Sequence, residues 1–166
     1  RPVLTVRSAL LGRQLRGIDL EVHEGEIVGI AGLEGQGQRE LFYGIAKDLP
    51  FDAGSVEISG RDADSGPTTT DFGFVPEDRK TEGLFLALSV RFNIGIPHLR
   101  RFSIGPHVLR SKEREFAEES AKRVNLSATR LKDKVADLSG GNQQKVLFAR
   151  ELLGSPRCLL LFDPTR

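Results

Sequence analysis

The stretch GIAGLEGQGQRE, from Gly29 to Glu40, places several glycines directly before a helical pattern. The apolar run Glu26–Ala31 that leads into it is typical of a β-strand, and apolar residues recur at helical spacing from Leu41 to Leu49. Strand, glycine loop and helix in this order form a phosphate-binding context, because the N–H groups of the loop and of the helix N-terminus together attract an anion. A dinucleotide-binding loop fits less well, since it would require a small residue at the position of Glu40. The pattern predicts an α/β domain built around this loop.

The loop departs from the usual phosphate loop at two positions that matter for its chemistry. Gly32 and Gly37 have the spacing G-x-x-x-x-G, but Gln38 and Arg39 stand where Lys and Ser or Thr are expected. The missing lysine would have reached the β- and γ-phosphates, and the missing hydroxyl would have held Mg²⁺. Gln38 offers only a neutral hydrogen bond, and Arg39 cannot ligate a metal. From this motif alone two interpretations stay open: a weakened phosphate loop, or a tight strand-to-helix turn shaped by Gly32, Gly35 and Gly37.

A second glycine stretch, LSGGNQQK from Leu138 to Lys145, opens the last predicted helix. Ser139 is a favoured N-cap residue, and Gly140 and Gly141 leave backbone N–H groups bare at the start of the helix. This arrangement suits the γ-phosphate of a nucleotide that approaches from outside. A capped helix start alone would explain the serine, but it does not require the complete string.

Composition describes an ordinary globular domain. The 166 residues correspond to about one domain, with 39% apolar and 28% charged residues and a net charge of +1. This near-neutral charge gives no reason to expect nucleic acid as a partner. The single cysteine, Cys158, lies in the run CLLLF, so we expect a buried structural thiol, and the run is too short to span a bilayer.

Strands and helices alternate along the chain. Strands are predicted at 3–6, 18–22, 26–31, 54–60, 72–75 and 158–162, a polar loop at 61–71, and helices after the glycine loop, at 111–124 and at 142–153. Asp163 follows the last strand directly. The sequence therefore predicts an α/β domain with its site along the carboxyl edge of the sheet.

The chain resembles the ATP-binding domains of ABC transporters, whose signature is an LSGG-Q string. It most resembles the second, C-terminal nucleotide-binding domain of the double-domain subunits that power sugar importers of the ribose, galactose and xylose type. Three stretches carry the resemblance: GEIVGIAGLEGQGQREL, GFVPEDRKTEGLFLALSVRFNI and LSGGNQQKVLFARELLGSPRCLLLFDPTR. It implies a single, partial domain with a P-loop NTPase-like core at 1–86 and 138–166, an N-terminal antiparallel β part and a helical subdomain at 87–137. Because the chain stops at DPTR after a strand like that of Walker B, we expect it to be truncated there.

In that family two such domains face each other head to tail, and each ATP lies between the phosphate loop of one domain and the signature of the other. The resemblance implies that the signature residues serve an ATP held by a partner domain, either the first nucleotide-binding domain of the same subunit or a dimer mate. These residues are Ser139, Gly140, Gly141 and Gln143. Gly32–Arg39 would line this domain's own, weaker site. A domain that lends its signature to a competent partner can lose its lysine, which is our hypothesis for the altered loop.

The end of the last strand is altered as well. The family has apolar residues followed by Asp-Glu, whereas here Phe162 takes the position of the Mg²⁺-ligating Asp and Asp163 that of the catalytic Glu. Phe cannot ligate Mg²⁺, and Asp163 is shorter than Glu by about 1.5 Å, which removes a general base from hydrogen-bond reach. Sliding Asp163 into the metal position leaves Pro164 next and no base. We therefore expect no metal ligands here, weak or absent Mg²⁺ and ATP at this domain's own site, and little ATPase activity of the chain alone.

Glu77, in VPEDR, falls where the family has the glutamine of the Q-loop. The resemblance implies a role in coupling to the membrane subunit, and the alternative is a surface turn with an Asp78–Arg79 or Glu77–Lys80 pair. The implied partners are membrane permease subunits and, indirectly, a periplasmic or extracellular sugar-binding protein, at the cytoplasmic face of the plasma membrane, where the domain would be peripheral. Two other functions stay open: a non-catalytic structural or coupling domain, and a soluble ABC ATPase.

Overall fold

Two units make up the computed structural model, which describes residues 1–46, 48–58, 61–62 and 72–164. One unit comprises residues 1–72 and 157–162, and the other comprises residues 73–156 and 163–166. The helix at 140–153 packs with the other helices of the second unit.

The first unit contains a four-stranded antiparallel sheet in the order β2-β1-β3-β4. Its strands are β1 (Pro2–Leu11), β2 (Leu15–His23), β3 (Ala53–Ile58) and β4 (Arg61–Asp62). Leu4 of β1 pairs with Val22 on one side and with Ile58 on the other. Apolar residues of this sheet and of helix α1 (Gln38–Ala46) form the core of the unit, so the predicted antiparallel β part is confirmed. Residues 59–60 of the strand predicted at 54–60 and residues 63–71 of the loop predicted at 61–71 lie outside the described residues.

The strand predicted at Glu26–Ala31 is wrong. These residues form no strand, and Ile27 is 97% exposed. Several of their side chains line an apolar cleft of about 370 Å³ within this unit, together with residues of β1, β2, α1 and the strand Cys158–Leu161. β-Branched residues favour an extended backbone, but a strand also needs a hydrogen-bonded neighbour, which the local sequence does not specify.

The second unit is helical and centres on one long helix. Its helices are α2 (Val90–Gly95), α3 (Arg110–Arg123) and α4 (Gly140–Leu153), with 3₁₀ segments at Ile96–Phe102, Ala128–Lys132 and Val135–Asp137. The remaining strands of the chain are short: β5 (Phe72–Val75), β6 (Ser103–Ile104), β7 (His107–Val108) and β8 (Cys158–Leu161). α4 contacts both α2 and α3 and buries an apolar stripe that includes Val146, Ala149 and Leu153. α3 begins one residue before the helix predicted at 111–124, with Leu109 at the N-cap.

Side chains from neighbouring segments hold the C-terminal end of α4. Helix ends leave carbonyl groups without helical partners, and such groups are often satisfied by cationic or hydroxyl side chains. Arg101 donates to the carbonyls of Leu153 at 3.0 Å and Gly154 at 3.4 Å. Ser120 donates to the carbonyl of Ala149. Arg123 donates to the carbonyl of Leu152, and His98 Nε2 donates to that of Arg150. This end of α4 is therefore fixed by the unit's own side chains.

No helix in the described part of the chain is long and apolar enough to cross a membrane.

Candidate functional site

The glycine loop runs exposed from Gly29 to Gln36, and α1 begins two residues later. Gly35 and Gly37 both adopt positive φ, at 79° and 97°. A Cβ on Gly37 would also lie 3.0 Å from the carbonyl oxygen of Gln14, so no other residue fits there. The space around Gly35 is open. Gly35 and Gly37 thus hold backbone conformations that favour glycine, and the backbone N–H groups that follow them lie at the start of a helix.

Gln38 is turned onto its own loop. Its side-chain amide donates to the carbonyl of Leu33 at 3.0 Å. The same amide covers Gly32, where a Cβ would lie only 2.2 Å from Nε2. The residue at the position of the phosphate-binding lysine thus cross-links the loop with a neutral hydrogen bond and brings no charge to it.

Arg39 also binds within its own helix. Its guanidinium carbon lies 4.2 Å from the centre of the Tyr43 ring, a cation–π contact one turn along α1. Phe162 packs against the same helix: its ring lies 5.2 Å from that of Phe42 and 6.1 Å from that of Tyr43. Phe162, at the position where the resemblance implies an acidic metal ligand, is therefore an aromatic packing residue in this structure.

The residues of this loop and of α1 fit a metal-bound triphosphate poorly. Asp163, which the resemblance places as the general base, belongs to the other unit. Asp163 is exposed and has a left-handed backbone, with φ of 43°. Among the described residues, no group of three or more His, Cys, Asp or Glu side chains is arranged to hold a metal. Gln38, Arg39 and Phe162 present an amide, a stacked guanidinium and a phenyl ring. None of these matches the charge, hydroxyl and carboxylate that hold MgATP in a complete phosphate loop.

The N-terminal tip of α4 is exposed and open. Ser139 is the N-cap, but its side chain makes no capping hydrogen bond, and Ser139, Gly140 and Gly141 are all exposed. A Cβ added to Gly141 would meet no atom within 4 Å. The first N–H groups of a helix have no partner within the helix. The tip therefore presents N–H groups and a hydroxyl to whatever approaches it, as the sequence predicted.

Gln143 lies in the interior. It is 6% exposed, and its amide donates to the carbonyl of Val135 at 3.1 Å. Its Oε1 is buried and has no hydrogen-bond partner among the described residues. This placement ties the first turn of α4 to the preceding 3₁₀ segment. Asn142, one residue earlier and only partly buried, belongs to the exposed tip, and the sequence analysis missed it.

The VPEDR turn contacts α4, although the sequence analysis treated the two motifs separately. The Asp78 carboxylate accepts from the backbone N–H groups of Lys80 at 2.9 Å and Thr81 at 3.3 Å. The pKa of Asp78 is lowered first by a hydrogen bond from the Thr81 side chain and then by these two backbone bonds, because all three stabilise the charged carboxylate. Arg79 Nη2 lies 2.8 Å from the position that a Cβ on Gly140 would occupy. Glu77, the expected coupling residue, is partly buried at the start of the turn.

Comparison with known proteins gives consistent matches. A family model described as ABC transporter matches residues 15–166. The ribose import ATP-binding protein of Rhizobium etli is 42% identical over 174 residues, which cover 100% of this chain and 34% of that protein. Its counterpart in Bacillus licheniformis is 38% identical over 170 residues, again 100% of this chain and 34% of the relative. The chain thus spans about a third of the length of these relatives.

Solved structures share the fold. A dimeric ATP-binding cassette in a post-hydrolysis state, bound to ADP and Pi, superposes with a TM-score of 0.80 at 24% identity, covering 98% of this chain and 74% of that chain. The protein cbiO1 of Clostridium perfringens, described as part of an ABC transporter complex, gives a TM-score of 0.75 at 19% identity and covers 96% of this chain and 64% of that chain.

Proposed function

The chain belongs to the ABC transporter family as an ATPase domain, and from that premise we propose that it works in a sugar importer by lending the tip of α4 to an ATP held by a partner domain. Its own phosphate loop binds nucleotide weakly and hydrolyses it slowly or not at all. The single observation that carries the proposal is a contrast between two helix starts: the side chains of Gln38 and Arg39 at the start of α1 are engaged within their own unit, whereas the tip of α4 is exposed.

At the partner's ATP, Ser139 and the N–H groups of Gly140 and Gly141 bind the γ-phosphate. The amides need no proton transfer and carry the positive end of the helix dipole, so they stabilise charge on the phosphate without reorganisation. Gln143 positions this first turn from inside through Val135. The residues of the tip fit a phosphate, because Gly140 and Gly141 expose the backbone and the space beside Gly141 is open.

The domain's own loop forms a site that binds MgATP weakly. Its residues are Gly32, Gly35, Gly37, Gln38 and Arg39. Mg²⁺, when a phosphate loop binds it with ATP, neutralises the charge that develops on the phosphates. Gln38 and Arg39 supply neither a charge directed at phosphate nor a ligand for that ion. Asp163 is too short to act as the general base. The loop instead serves as a structural turn that leads into α1.

The sugar assignment is supported by the names of the relatives, which are ribose import proteins. The partners follow from it: a second ATP-binding domain with an intact phosphate loop, membrane permease subunits that Glu77 contacts, and a sugar-binding protein outside. We place the domain at the cytoplasmic face of the membrane as a peripheral component. The division into a nucleotide-binding core and a helical subdomain at 87–137 belongs to this proposal.

Measurement of phosphate release tests the proposal. The chain alone, with ATP and Mg²⁺, releases phosphate at the background rate. Added in increasing amounts to a partner domain with an intact phosphate loop, it stimulates release until the partner is saturated. Rapid Mg²⁺-dependent turnover by the chain alone would refute the loss of its own site. Absence of stimulation at saturating chain would refute the role of the α4 tip and favour a purely structural coupling domain.

A further inference from the structure

The β1–β2 turn, residues 12–14, packs on the glycine loop of the first unit. A Cβ on Gly37 would lie 3.0 Å from the carbonyl oxygen of Gln14, so the two segments approach each other closely at this point. The turn is also held from its other side, because the N–H of Gly12 donates to the Asp52 carboxylate at 2.7 Å. Contacts within one unit therefore set the position of the turn relative to the loop.

Between the turn and the loop lies an open pocket of about 560 Å³. Its lining carries two cations and no carboxylate. The lining residues are Arg13, Gln14, Arg16, Ile18, Gly35 and Gln36. Gly35 contributes bare backbone, because no other atom lies within 4 Å of the place where its Cβ would be. The pocket thus brings two guanidinium groups, two side-chain amides and exposed backbone together within one unit.

The charge of the pocket is not neutralised within the part of the chain that the structure describes. Neither Arg13 nor Arg16 forms an ion pair with a described residue. Arg16 Nε donates to the carbonyl of Arg13 at 3.2 Å, which ties the Arg16 side chain to the turn. Two like charges at one pocket repel each other, and an anion bound between them removes this repulsion.

Phosphate matches these side chains in charge and in shape. A guanidinium fork donates two parallel N–H···O bonds to a phosphate group, and such charge-assisted bonds are about twice as strong as neutral ones. The lining offers no ligand for a metal ion, since arginine cannot bind one. Mg²⁺ on the phosphate would also neutralise the charge that the arginines attract. The pocket therefore favours phosphate without Mg²⁺, in contrast to a complete phosphate loop.

We propose that the pocket between the β1–β2 turn and the glycine loop binds a metal-free phosphate group, with Arg13 and Arg16 as its cations. The phosphate belongs to an inorganic polyphosphate or to a nucleotide without Mg²⁺. This inference goes beyond the proposed function and does not depend on the role of the α4 tip. The cation that is absent at Gln38 is then supplied by a different element of the same unit.

Titration of the ¹⁵N-labelled chain with inorganic tripolyphosphate in the presence of EDTA tests the proposal. The amide signals of Gln14 and Gly35 report on the pocket, and that of Gly141 reports on the α4 tip. In the wild type, the Gln14 and Gly35 signals shift and saturate. The same titration with Mg²⁺ in excess over tripolyphosphate gives weaker binding at these two residues, and tighter binding with Mg²⁺ would overturn the proposal.

Arg13→Ala and Arg16→Ala each weaken tripolyphosphate binding about tenfold, because each variant removes one charge-assisted contact. Both residues are exposed, so the thermal midpoints of the two variants stay close to that of the wild type. Arg7→Ala is the matched control: it removes the same charge from an exposed position of β1 outside the pocket and leaves the affinity within about twofold.

Pyrophosphate and metal-free ADP, measured in the same way, distinguish the source of the phosphate. Tighter binding of ADP supports a nucleotide, and equal affinities support an inorganic polyphosphate. Equal affinities of the wild type, Arg13→Ala and Arg16→Ala would overturn the proposal, as would a wild-type titration in which Gln14 and Gly35 do not respond. Either result leaves the proposed function intact, because phosphate release at the partner's site does not involve this pocket.

Discussion

The side-chain amide of Gln38 lies 3.0 Å from the carbonyl oxygen of Leu33, so the residue at the position of the phosphate-binding lysine is bonded to its own loop. Arg39 stacks on Tyr43 in the same helix, at 4.2 Å from the ring centre. In a typical phosphate loop, the side chains at these two positions point outward and bind the phosphates and Mg²⁺. Here both interact within the unit, which explains how the loop keeps its geometry without its charge.

Restoration of the two missing groups should restore nucleotide binding. The double variant Gln38→Lys with Arg39→Ser supplies the cation for the β- and γ-phosphates and the hydroxyl for Mg²⁺, and we expect its affinity for MgATP to rise at least about tenfold. Hydrolysis stays slow, because Phe162 remains packed on Phe42. Isothermal titration calorimetry measures the affinity.

Gln36→Lys is the control for this restoration, since it adds the same charge at an exposed loop residue outside the lysine position. It should bind MgATP no more than about threefold better than the wild type. If the unaltered chain already binds MgATP as tightly as the double variant, its loop is not degenerate.

Local patterns predicted part of this structure, and long-range contacts decided the rest. The strands of the first unit and α4 were predicted from β-branched and apolar runs and from apolar residues at helical spacing, which are properties of neighbouring residues. The antiparallel arrangement of the strands was implied only by the family resemblance. The segment Glu26–Ala31 has strand composition but no partner strand, which its own sequence does not reveal. The substitution at Phe162 is visible in the sequence, whereas its aromatic packing on α1 is not.

In the candidate site as well, local features could be predicted from the sequence and contacts between distant segments could not. The exposed tip of α4 was predicted, because Ser-Gly-Gly before an amphipathic helix is a local signal. The contact of Arg79 with Gly140 joins two segments that are distant in sequence, and no periodicity relates them. Helical periodicity could have separated Gln143 from Asn142, since Gln143 lies three residues before Val146 and shares its buried face.

Asn93 should be a strong determinant of stability. It is fully buried, accepts from the N–H of Phe85 at 2.8 Å, and donates to the carbonyls of Phe85 at 3.0 Å and Ser89 at 3.1 Å. Asn93→Ala removes all three bonds and leaves the N–H of Phe85 without this acceptor, although the carbonyls of Phe85 and Ser89 keep backbone donors. We therefore expect the free energy of unfolding to fall by about 1–3 kcal/mol. Urea denaturation measures it. Gln36→Ala, which removes an exposed amide, should change it by less than about 0.5 kcal/mol, and an equal effect of both variants would contradict this role of Asn93.

His98 should make the chain less stable in acid. Burial lowers its pKa below the ordinary value of 6.5, and nearby Arg101 acts in the same direction. Its Nε2 donates to the carbonyl of Arg150, while Nδ1 is buried with no hydrogen-bond partner among the described residues, so a second proton has no acceptor. Below pH 6.5, His98 binds a proton more readily in the unfolded chain than in the folded chain, so protonation favours unfolding. This contribution to stability is therefore complete above about pH 6.5 and is lost as the pH falls.

Unfolding free energies at several pH values, for wild type and His98→Gln, isolate this contribution. Gln can still donate to the Arg150 carbonyl but does not titrate, so its stability should fall less steeply below pH 6.5. His107→Gln, at an exposed position, should leave the slope as in the wild type. Identical slopes for wild type and His98→Gln would show that His98 is protonated equally in the folded and unfolded chain.

The most direct test of the trans role of the α4 tip is Gly141→Asp, measured as phosphate release by this chain assembled with a partner domain that has an intact phosphate loop. A side chain at Gly141 meets no atom of the chain within 4 Å, and an acidic residue in the first turn stabilises a helix, so the free energy of unfolding should stay the same or rise by up to about 1 kcal/mol. Ser111→Asp places the same group at the equivalent exposed position of α3 and serves as the control. The account predicts that Gly141→Asp lowers phosphate release about a hundredfold while Ser111→Asp leaves it unchanged. Full phosphate release by a folded Gly141→Asp assembly would contradict it.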